Sequence, residues 1–395
     1  MRSGSFGVRP RSDPDVDIDA LVVGAGPSGS VTARQLALSG WRVMLIDREP
    51  IGRDRVCGGF LGPEAHTLLE RIGLRESLEH VPAGQLRGVT FSGPRVGPIE
   101  APLPGPECRA VDRRLFDAWL CRQVEDAGAV VHHSAQLVDA DRVPHGGWHT
   151  RIRINDVPRQ VVARELIYAT GRREQRVPRA QQAGLAYGCK TTYTAPAGAP
   201  GRVELHVVRA GHVGINPLVD GRMNVCLSVA YDRLHAARGD FDRLVATLAD
   251  ENPQLGTAIR GAKRLEPWYG CQAQPGDRPQ FSRDGAWLVG DAVTMANTFI
   301  GGGLSLAMAS AVLLARCLTD GAQVAEPRAI TARRYEAQWQ RQFGGACRFG
   351  QWLARCERAP WAAHLLLRLV ACHAGLLRAM MRASRPATVS RELRD

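Results

Sequence analysis

One glycine-rich turn near the start of this 395-residue chain limits its fold more than any other stretch. Gly24, Gly26 and Gly29 have the spacing G-x-G-x-x-G. The first permits a tight turn, the second lets the backbone approach a pyrophosphate, and the third lets a helix pack closely on a strand. The apolar residues 21–23 predict a buried strand, and residues 30–39 predict a helix whose N-terminus offers amide donors to a phosphate.

A carboxylate after the next predicted strand completes a βαβ unit. That strand covers residues 42–46, and Asp47 follows it, 47 − 29 = 18 residues beyond Gly29. A carboxylate at this place can accept both hydroxyls of an adenosine ribose. Ser28 and Arg48, which adjoin these two turns, are assigned to the same site. We therefore predict an α/β fold that binds an unphosphorylated ADP moiety, as in FAD or NAD; the alternative is a glycine-rich turn in an ordinary α/β fold.

Composition favours a globular protein of two or three domains, because 45% of the residues are hydrophobic. The formal charge is +12, yet Lys190 and Lys263 are the only lysines, so arginine supplies nearly all of the basic charge. No basic stripe is interleaved with aromatic residues, and we expect no nucleic-acid partner. The ten cysteines have no C-x-x-C spacing, which predicts free thiols in a reducing compartment and no metal site.

The two ends of the chain bear on its location. Residues 1–16 are rich in Arg, Ser, Gly, Pro and Asp, which predicts a disordered leader and no signal peptide. No apolar run reaches the roughly 18 residues that a membrane span needs, so we predict a cytoplasmic protein. Residues 326–395 hold 13 arginines and five acids, 13 − 5 = +8, on Trp- and Leu-rich helices. This pattern leaves peripheral membrane contact open beside the plainer reading of a solvated helical cap.

Two later segments also end in glycine turns at predicted strand ends. Residues 165–169 predict a buried strand, and residues 284–289 predict another. A long apolar helix through residue 318 begins after three consecutive glycines, which again points amides at an acceptor. Eight residues of these turns are therefore predicted to belong to the cofactor site: Thr170, Gly171, Gly290, Asp291, Gly301, Gly302, Gly303 and Leu304.

The residues between about 190 and 266 alternate in polarity, which predicts antiparallel strands with a hairpin turn at Asp220-Gly221. A helix is predicted at residues 241–251 after these strands. Residues 84–105 resemble a hairpin that leaves the nucleotide domain, and Asp112 is a predicted N-cap for the helix after it. The predicted domains are an FAD-binding domain (17–83, 108–189 and 270–320), a substrate domain (84–107 and 190–269) and C-terminal helices (321–395).

Two side chains are candidates for chemistry. Cys57, followed by two glycines, lies on the loop that leaves the second strand, where ligands gather in α/β folds; a buried small hydrophobe is the alternative. His212 is the best candidate for proton transfer because imidazole ordinarily has a pKa of about 6.5; a structural or exposed histidine is the alternative. The predicted pocket residues are Gly58, Phe60, Phe91, Asn216, Trp268, Phe281 and Phe299.

From about Asp17 to about Leu318 the order of these segments resembles the p-hydroxybenzoate hydroxylase-like class of FAD-dependent oxidoreductases. The resemblance implies a Rossmann-like FAD-binding domain of the GR2 type, an inserted antiparallel-sheet substrate domain and a C-terminal helical region. It also implies a role for each part of the cofactor site. Gly24, Gly26, Gly29 and Asp47 would hold the ADP half of FAD, and Arg113 would lie by the pyrophosphate. Gly290 and Asp291 would bind the ribityl chain, and Gly301 to Gly303 would face the flavin ring.

Within this class, Val56-Cys57-Gly58-Gly59 is most similar to the geranylgeranyl-reductase branch and its relatives in secondary metabolism, where the cysteine lines the substrate cavity. The chain departs from that pattern in three places. Residues 212–217 lack the aromatic Tyr-x-Trp-x-Phe-Pro strand, and Thr298 lies in the element where a proline usually sits over the flavin. Thr170-Gly171 replaces an Asp-Gly pair that touches the nicotinamide cofactor, so NADPH or NADH as a transient reductant stays an open expectation.

The resemblance implies a monooxygenase that hydroxylates a lipophilic aromatic or polyketide-like substrate through a flavin C4a-hydroperoxide, in a cavity that excludes water. One alternative is a flavin-dependent double-bond reductase or dehydrogenase of the geranylgeranyl reductase type, in which Cys57 supplies or relays a proton. A second alternative is a non-redox FAD-containing cyclase or binding protein. Oxygen uptake coupled to substrate distinguishes the first reading, turnover under nitrogen the second, and activity without an electron donor the third.

Overall fold

The computed structural model describes residues 16–103, 107–144, 146–172, 186–196, 201–272 and 278–385, so the predicted leader lies almost entirely outside the described residues. The strands are β1 (Ile18–Val23), β2 (Val43–Ile46), β3 (Phe60–Leu61), β4 (Ala83–Leu86), β5 (Gly88–Gly93), β6 (Val96–Pro102), β7 (Cys108–Val111), β8 (Val130–His132), β9 (Ala135–Arg142), β10 (Trp148–Ile154), β11 (Val157–Tyr168), β12 (Ala186–Thr194), β13 (Arg202–Val208), β14 (Gly211–Pro217), β15 (Arg222–Ala230), β16 (Tyr269–Gln272), β17 (Ser282–Arg283) and β18 (Ala286–Leu288). The helices are α1 (Pro27–Leu38), α2 (Pro63–Arg71), α3 (Arg75–Leu78), α4 (Arg113–Asp126), α5 (Tyr231–Ala236), α6 (Phe241–Glu251), α7 (Pro253–Ala258), α8 (Gly303–Gln323), α9 (Arg328–Arg358), α10 (Pro360–Cys372) and α11 (Ala374–Ala383).

The first sheet carries the predicted βαβ unit. Its strands follow the order β17-β18-β11-β1-β2-β8, with β9 and β10 attached through β11. β1 pairs in parallel with both β2 and β11, which brings the turns after these strands to one edge. Ala20 and Val22 face the helices, while Leu21 faces the β9–β10 side, so β1 is covered on both faces. The predicted α/β fold class is confirmed.

The second sheet has the order β16-β12-β15-β14-β13-β5-β6 and is antiparallel except where β13 meets β5. Val213, Val225 and Leu227 pack under α6 and α7, and the residues that alternate with them face the opposite way. The predicted hairpin turn is present, with φ of 59° at Asp220 and 66° at Gly221. The predicted helix at 241–251 is α6, and Asp112 caps α4 by accepting from the Arg114 amide at 3.0 Å.

The sheets begin and end at slightly different residues from the predicted domain boundaries. β12 begins at Ala186, four residues before 190, because Gly188 pairs with Ser228 inside the second sheet. β16 extends that sheet to Gln272. β4 leaves it, because it pairs with β7 in a separate three-stranded sheet with β3.

The C-terminal helices complete the core. Tyr335, Trp339 and Phe343 of α9 are fully buried beside α8. Within the described ranges, α8 alone has the length and apolar composition of a membrane span, and 67% of that stretch is buried in the protein, as in a core helix. α10 packs against β5 and β6, and residues of α10 and α11 join a third apolar cluster with Phe91 and Val207.

Candidate active site

One cavity of about 1590 Å³ lies where the first sheet, the second sheet and the C-terminal helices meet. Pockets for a drug-sized ligand have roughly 300–1000 Å³, so this cavity has room for a dinucleotide and a second molecule. Its lining takes residues from distant parts of the chain, including Gly24, Cys57, Thr170, His212 and Gly303. The predicted convergence of separate turns on one space is therefore present in the fold.

The three glycines of the first turn have different structural roles. Gly24 has a φ of +110°, which favours glycine, and a Cβ on Gly29 would lie 1.8 Å from the carbonyl oxygen of Gly24. These two glycines are required by the fold itself. A Cβ on Gly26 would meet no protein atom within 4 Å, because this residue faces the cavity. The packing of the protein therefore does not require glycine at position 26. Only a ligand in the cavity would exclude a side chain there.

Two long helices begin at the cavity without a side-chain cap. Gly26 is the N-cap of α1 and Gly302 is the N-cap of α8, and neither first turn contains an acidic residue. Both helix N-termini therefore present amide donors and partial positive charge to the same space. These open backbone donors and the free face of Gly26 fit the anionic groups of an FAD.

Asp47 is held in place at the end of β2. Its Oδ2 accepts from the Ala25 amide at 2.8 Å and from Arg55 Nη2 at 3.1 Å, and its Oδ1 accepts from the Glu49 amide at 2.9 Å. The carboxylate lines the cavity next to the first glycine turn. Arg55 was not predicted, because nothing in its spacing marks it as a partner of Asp47.

Arg113 is buried at the start of α4, where it forms a bidentate pair with Asp117 at 2.8 and 2.7 Å. Burial alone would lower its pKa, but Asp117 and the Cys57 sulfur raise the pKa above the ordinary value. Asp291 also lines the cavity, and its desolvation raises its pKa despite the nearby guanidinium groups of Arg172 and Arg113. The predicted polar residues thus lie beside the same cavity as the glycine turns.

Two of the predicted cofactor glycines lie outside the cavity lining and pack against residues near it. Gly29 packs against Gly24 and Ala169. Gly290 has a φ of +66°, and a Cβ there would lie 2.5 Å from Ser28 Oγ. Neither glycine lines the cavity, so both act through packing. The other predicted cofactor residues all line it: Gly24, Gly26, Ser28, Asp47, Arg48, Arg113, Thr170, Gly171, Asp291, Gly301, Gly302, Gly303 and Leu304.

The loop that carries Cys57 is held by two asparagines of the second sheet. Asn224 Nδ2 donates to the carbonyls of Cys57 and Gly58, at 2.9 and 2.8 Å, and Asn216 Nδ2 donates to the Gly58 carbonyl at 2.6 Å. Gly59 follows with a φ of +71°, and its amide donates to Cys57 Sγ at 3.4 Å. The cysteine is half-buried on the wall of the cavity that the glycine turns also line, and its place near the cofactor stays a prediction.

An ion pair fixes the start of the same loop. Lys190 of β12 contacts both carboxylate oxygens of Asp54, and the two side chains are only 4% and 1% exposed. Lys190 is one of two lysines in the chain, and its narrow ammonium group fits this closed space. Removing either partner would leave a buried charge unpaired.

His212 is buried on the cavity wall, with both ring nitrogens engaged. Nδ1 lies 2.7 Å from Glu357 Oε1, and Nε2 lies 3.3 Å from Thr298 Oγ1. The ring packs edge-to-face on Phe299, with 5.2 Å between centroids. The exposed-histidine alternative is therefore wrong, since the side chain is 4% exposed. Glu357 was missed because it follows His212 by 145 residues, on α9.

On β5 and β13 of the second sheet, the side chains that line the cavity are all apolar. Val203, Leu205 and Val207 of β13 lie beside Val89 and Phe91 of β5. The inner sides of α10 and α11 complete this wall with Leu366, Leu367, Val370, Leu377, Met380 and Met381. Of the predicted pocket residues, the cavity is lined by Gly58, Phe60, Phe91, Asn216 and Phe299.

Two predicted pocket residues lie elsewhere. Trp268 packs on Tyr193 and Phe241, and its Nε1 donates to Asp242 at 2.9 Å, under α6. Phe281 packs against the aromatic rings of α9. An aromatic residue next to a strand indicates burial, but it does not indicate which apolar cluster receives the ring.

A buried contact between α2, α8 and the end of α11 was missed as well. Ser305 Oγ donates to Glu64 Oε1 at 3.1 Å, and Arg385 Nε lies 3.6 Å from Glu64 Oε2. Glu64 and Arg385 both line the cavity. No spacing rule connects residues so far apart in the chain.

Comparison with known proteins agrees with this geometry. Residues 17–184 match the model of an FAD binding domain family. The chain is 27% identical to digeranylgeranylglycerophospholipid reductase 2 of Methanopyrus kandleri over 347 residues, covering 83% of this chain and 84% of that protein. It is 30% identical to a menaquinone reductase of Mycobacterium tuberculosis over 230 residues, covering 53% and 55%.

Among solved structures, a geranylgeranyl bacteriochlorophyll reductase-like protein from Thermoplasma acidophilum superposes with a TM-score of 0.77. The match covers 93% of this chain and 95% of that one, at 18% identity. At this identity the superposition shows a shared fold alone.

Proposed function

Because this chain is an FAD-dependent oxidoreductase of the p-hydroxybenzoate hydroxylase-like class, in its geranylgeranyl reductase-like branch, we propose that it is a monooxygenase acting on a lipophilic aromatic or polyketide-like substrate. FAD, when bound, supplies electron transfer and activation of O₂. In the overall reaction one O₂, two electrons and two protons convert a ring C–H into C–OH and release one water. The electrons come from a reductant, for which a nicotinamide cofactor is our proposal.

The observation that carries this proposal is the contact series Thr298–His212–Glu357 on the cavity wall. Hydroxylation of a phenol-like ring is helped by a base that removes the proton of the ring hydroxyl, because the phenolate ring is richer in electrons. When His212 Nδ1–H donates to Glu357, Nε2 is left as the basic nitrogen, and its contact Thr298 also lines the cavity. Thr298, in the element where the family usually has a proline, is the side chain next to that nitrogen.

The shape of the cavity supports a lipophilic ring-bearing substrate. His212 and Asn216 flank Gly214 on one face of β14, so the glycine leaves space between two polar groups. The neighbouring β13 and β5 continue the wall with apolar side chains only at the positions facing the cavity. Such a wall excludes water from the reacting atoms and offers no partner to a strongly polar ligand.

A second candidate is reduction of a carbon–carbon double bond. Two relatives reported above are named as reductases, one of a digeranylgeranylglycerophospholipid and one of menaquinone. Cys57 lies on the cavity wall beside Arg113, where a thiol proton could be delivered to an alkene carbon after hydride addition to its neighbour. The two proposals thus depend on different residues of the same cavity: hydroxylation on His212 and reduction on Cys57.

A single-turnover experiment distinguishes the two reactions. The holoenzyme is photoreduced without oxygen and then mixed with ¹⁸O₂ and 4-nonylphenol, or kept under nitrogen with geranylgeraniol. We expect one ¹⁸O atom in the phenol product and no alkene reduction under nitrogen. His212→Gln should abolish the oxygenated product, while Cys57→Ser should retain it. A geranylgeraniol product heavier by two hydrogens, lost in Cys57→Ser and formed without oxygen, would replace the monooxygenase with the reductase.

A further inference from the structure

Helix α10 is apolar on two opposite faces. Its inner residues Leu367 and Val370 are only 6% and 4% exposed and line the cavity. On its outer side Trp361, Leu365 and Leu369 are 74%, 51% and 43% exposed. A surface helix of a globular protein normally has one apolar stripe, which faces the core. The second stripe, here called the outer face of α10 and defined by these three exposed residues, has no partner among the described residues.

The outer face of α10 is a continuous stripe. Its members are spaced i, i+4 and i+8, which places them one above another on a helix. Arg368 is exposed within the same stripe, and Arg358 is exposed just before α10. Exposed apolar residues in a row, bordered by arginine, are typical of helices that lie in a lipid interface.

The charged residues in the segment that contains α10 and α11 are all basic. Residues 358–385 contain five arginines and no aspartate or glutamate. Arg385 pairs with the buried Glu64, whereas Arg358, Arg368, Arg378 and Arg382 are exposed. A second copy of this chain seated symmetrically on the same face would bring like charges together. An anionic lipid surface complements both the apolar stripe and the arginines.

We propose that the outer face of α10, together with the exposed arginines of α10 and α11, binds the surface of an anionic lipid bilayer. α10 has 13 residues, which is fewer than the roughly 20 needed to span a membrane, so the helix lies in the interface. The inner sides of α10 and α11 line the cavity, and one helix thickness separates the bilayer from it. A lipophilic substrate then enters from the bilayer between these helices and need not cross water.

Vesicle binding tests this proposal directly. The holoenzyme is sedimented with vesicles of phosphatidylcholine containing 30% phosphatidylglycerol, and with vesicles of phosphatidylcholine alone. We expect binding to the anionic vesicles that weakens with added salt, and little binding to the neutral ones. The triple variant Trp361→Ser/Leu365→Ser/Leu369→Ser and the triple variant Arg368→Gln/Arg378→Gln/Arg382→Gln should each reduce binding by at least about tenfold.

The matched control is Val324→Ser, an exposed apolar residue outside α10, 71% exposed, which should leave binding unchanged. All substituted side chains are exposed, and an unchanged flavin absorbance spectrum verifies that each variant is folded. Absence of wild-type binding to the anionic vesicles would overturn the proposal, as would equal binding by the variants. A wild-type dimer in light scattering that the serine variant lacks would assign the outer face to a second copy instead. The vesicle assay contains no substrate, so its outcome is separate from that of the hydroxylation experiment.

Discussion

The two halves of the cavity are built by different means. The nucleotide half is formed largely by backbone: glycines with left-handed or closely packed conformations, and two helix N-termini without side-chain caps. The substrate half is formed by side chains on the second sheet and on α10 and α11, with polar groups on β14 and β15 and apolar groups on β13 and β5. Backbone geometry tolerates almost no substitution, whereas a side-chain wall can be altered one residue at a time.

The largest expected effect is on the backbone-built half. In Gly29→Ala the new Cβ would meet the Gly24 carbonyl oxygen at 1.8 Å, a contact with backbone that cannot move aside cheaply. We expect a loss of more than about 3 kcal/mol in the free energy of unfolding and no retained flavin. Thermal unfolding and flavin content are the measurements. Gly345→Ala is the control, because a Cβ there meets nothing within 4 Å; wild-type flavin content in Gly29→Ala would contradict this account of the turn.

The next effect tests how the two halves are joined. Lys190→Met leaves the Asp54 carboxylate buried and unpaired at the start of the Cys57 loop. We expect a loss of about 3–5 kcal/mol in the free energy of unfolding, measured in urea. The double variant Lys190→Met/Asp54→Leu should recover most of this loss, because it removes both charges. An equal loss in the single and double variants would show that the unpaired Asp54 charge is not what destabilises Lys190→Met.

A chemical effect is expected within the substrate half. His212→Gln removes the base while keeping a side chain of similar size between Glu357 and Thr298. Under the proposed hydroxylation we expect kcat to fall by about 100-fold or more, with FAD affinity unchanged. Glu357→Gln should lower kcat less, by about tenfold, because the ring remains but the neutral amide no longer stabilises the positive charge that the ring gains as a base. If FAD affinity fell with kcat, His212 would belong to the nucleotide half.

The smallest effect concerns the space between His212 and Asn216. A Cβ on Gly214 would make ordinary contacts of 3.6 Å with Leu205 and with the Cys226 carbonyl, so Gly214→Val folds while its methyl groups fill part of the cavity. We expect about a tenfold rise in KM for a ring substrate. Gly97→Val on the exposed strand β6 is the control and should leave KM unchanged. An unchanged KM in Gly214→Val would place the substrate elsewhere on the wall.

The difference between the halves also explains what could be predicted. Gly24, Gly26, Gly29 and Asp47 were identifiable because a pyrophosphate-binding turn requires particular residues at fixed spacing. The strands and helices around these residues were predicted from apolar periodicity. The first and last residues of α6, in the second sheet's domain, were also predicted correctly.

The substrate half offers no such rule. Phe281 lies in the core beside Tyr335 and not in the cavity, whereas Phe299 lines the cavity. Glu357 meets His212, and Asn224 holds the Cys57 loop, only because α9 and the second sheet pack against that part of the cavity. Contacts of this kind depend on tertiary packing, which local sequence patterns do not encode.

The central claim is that turns from distant parts of the chain hold one FAD. Titration of the apoprotein with FAD, in the wild type, Gly26→Val and Gly303→Val, tests it most directly. A Cβ at either glycine meets no protein atom within 4 Å, so both variants should fold. We predict one FAD per wild-type chain and affinity reduced by at least about tenfold in both variants. No binding by the wild type, or wild-type affinity in Gly303→Val, would contradict the claim.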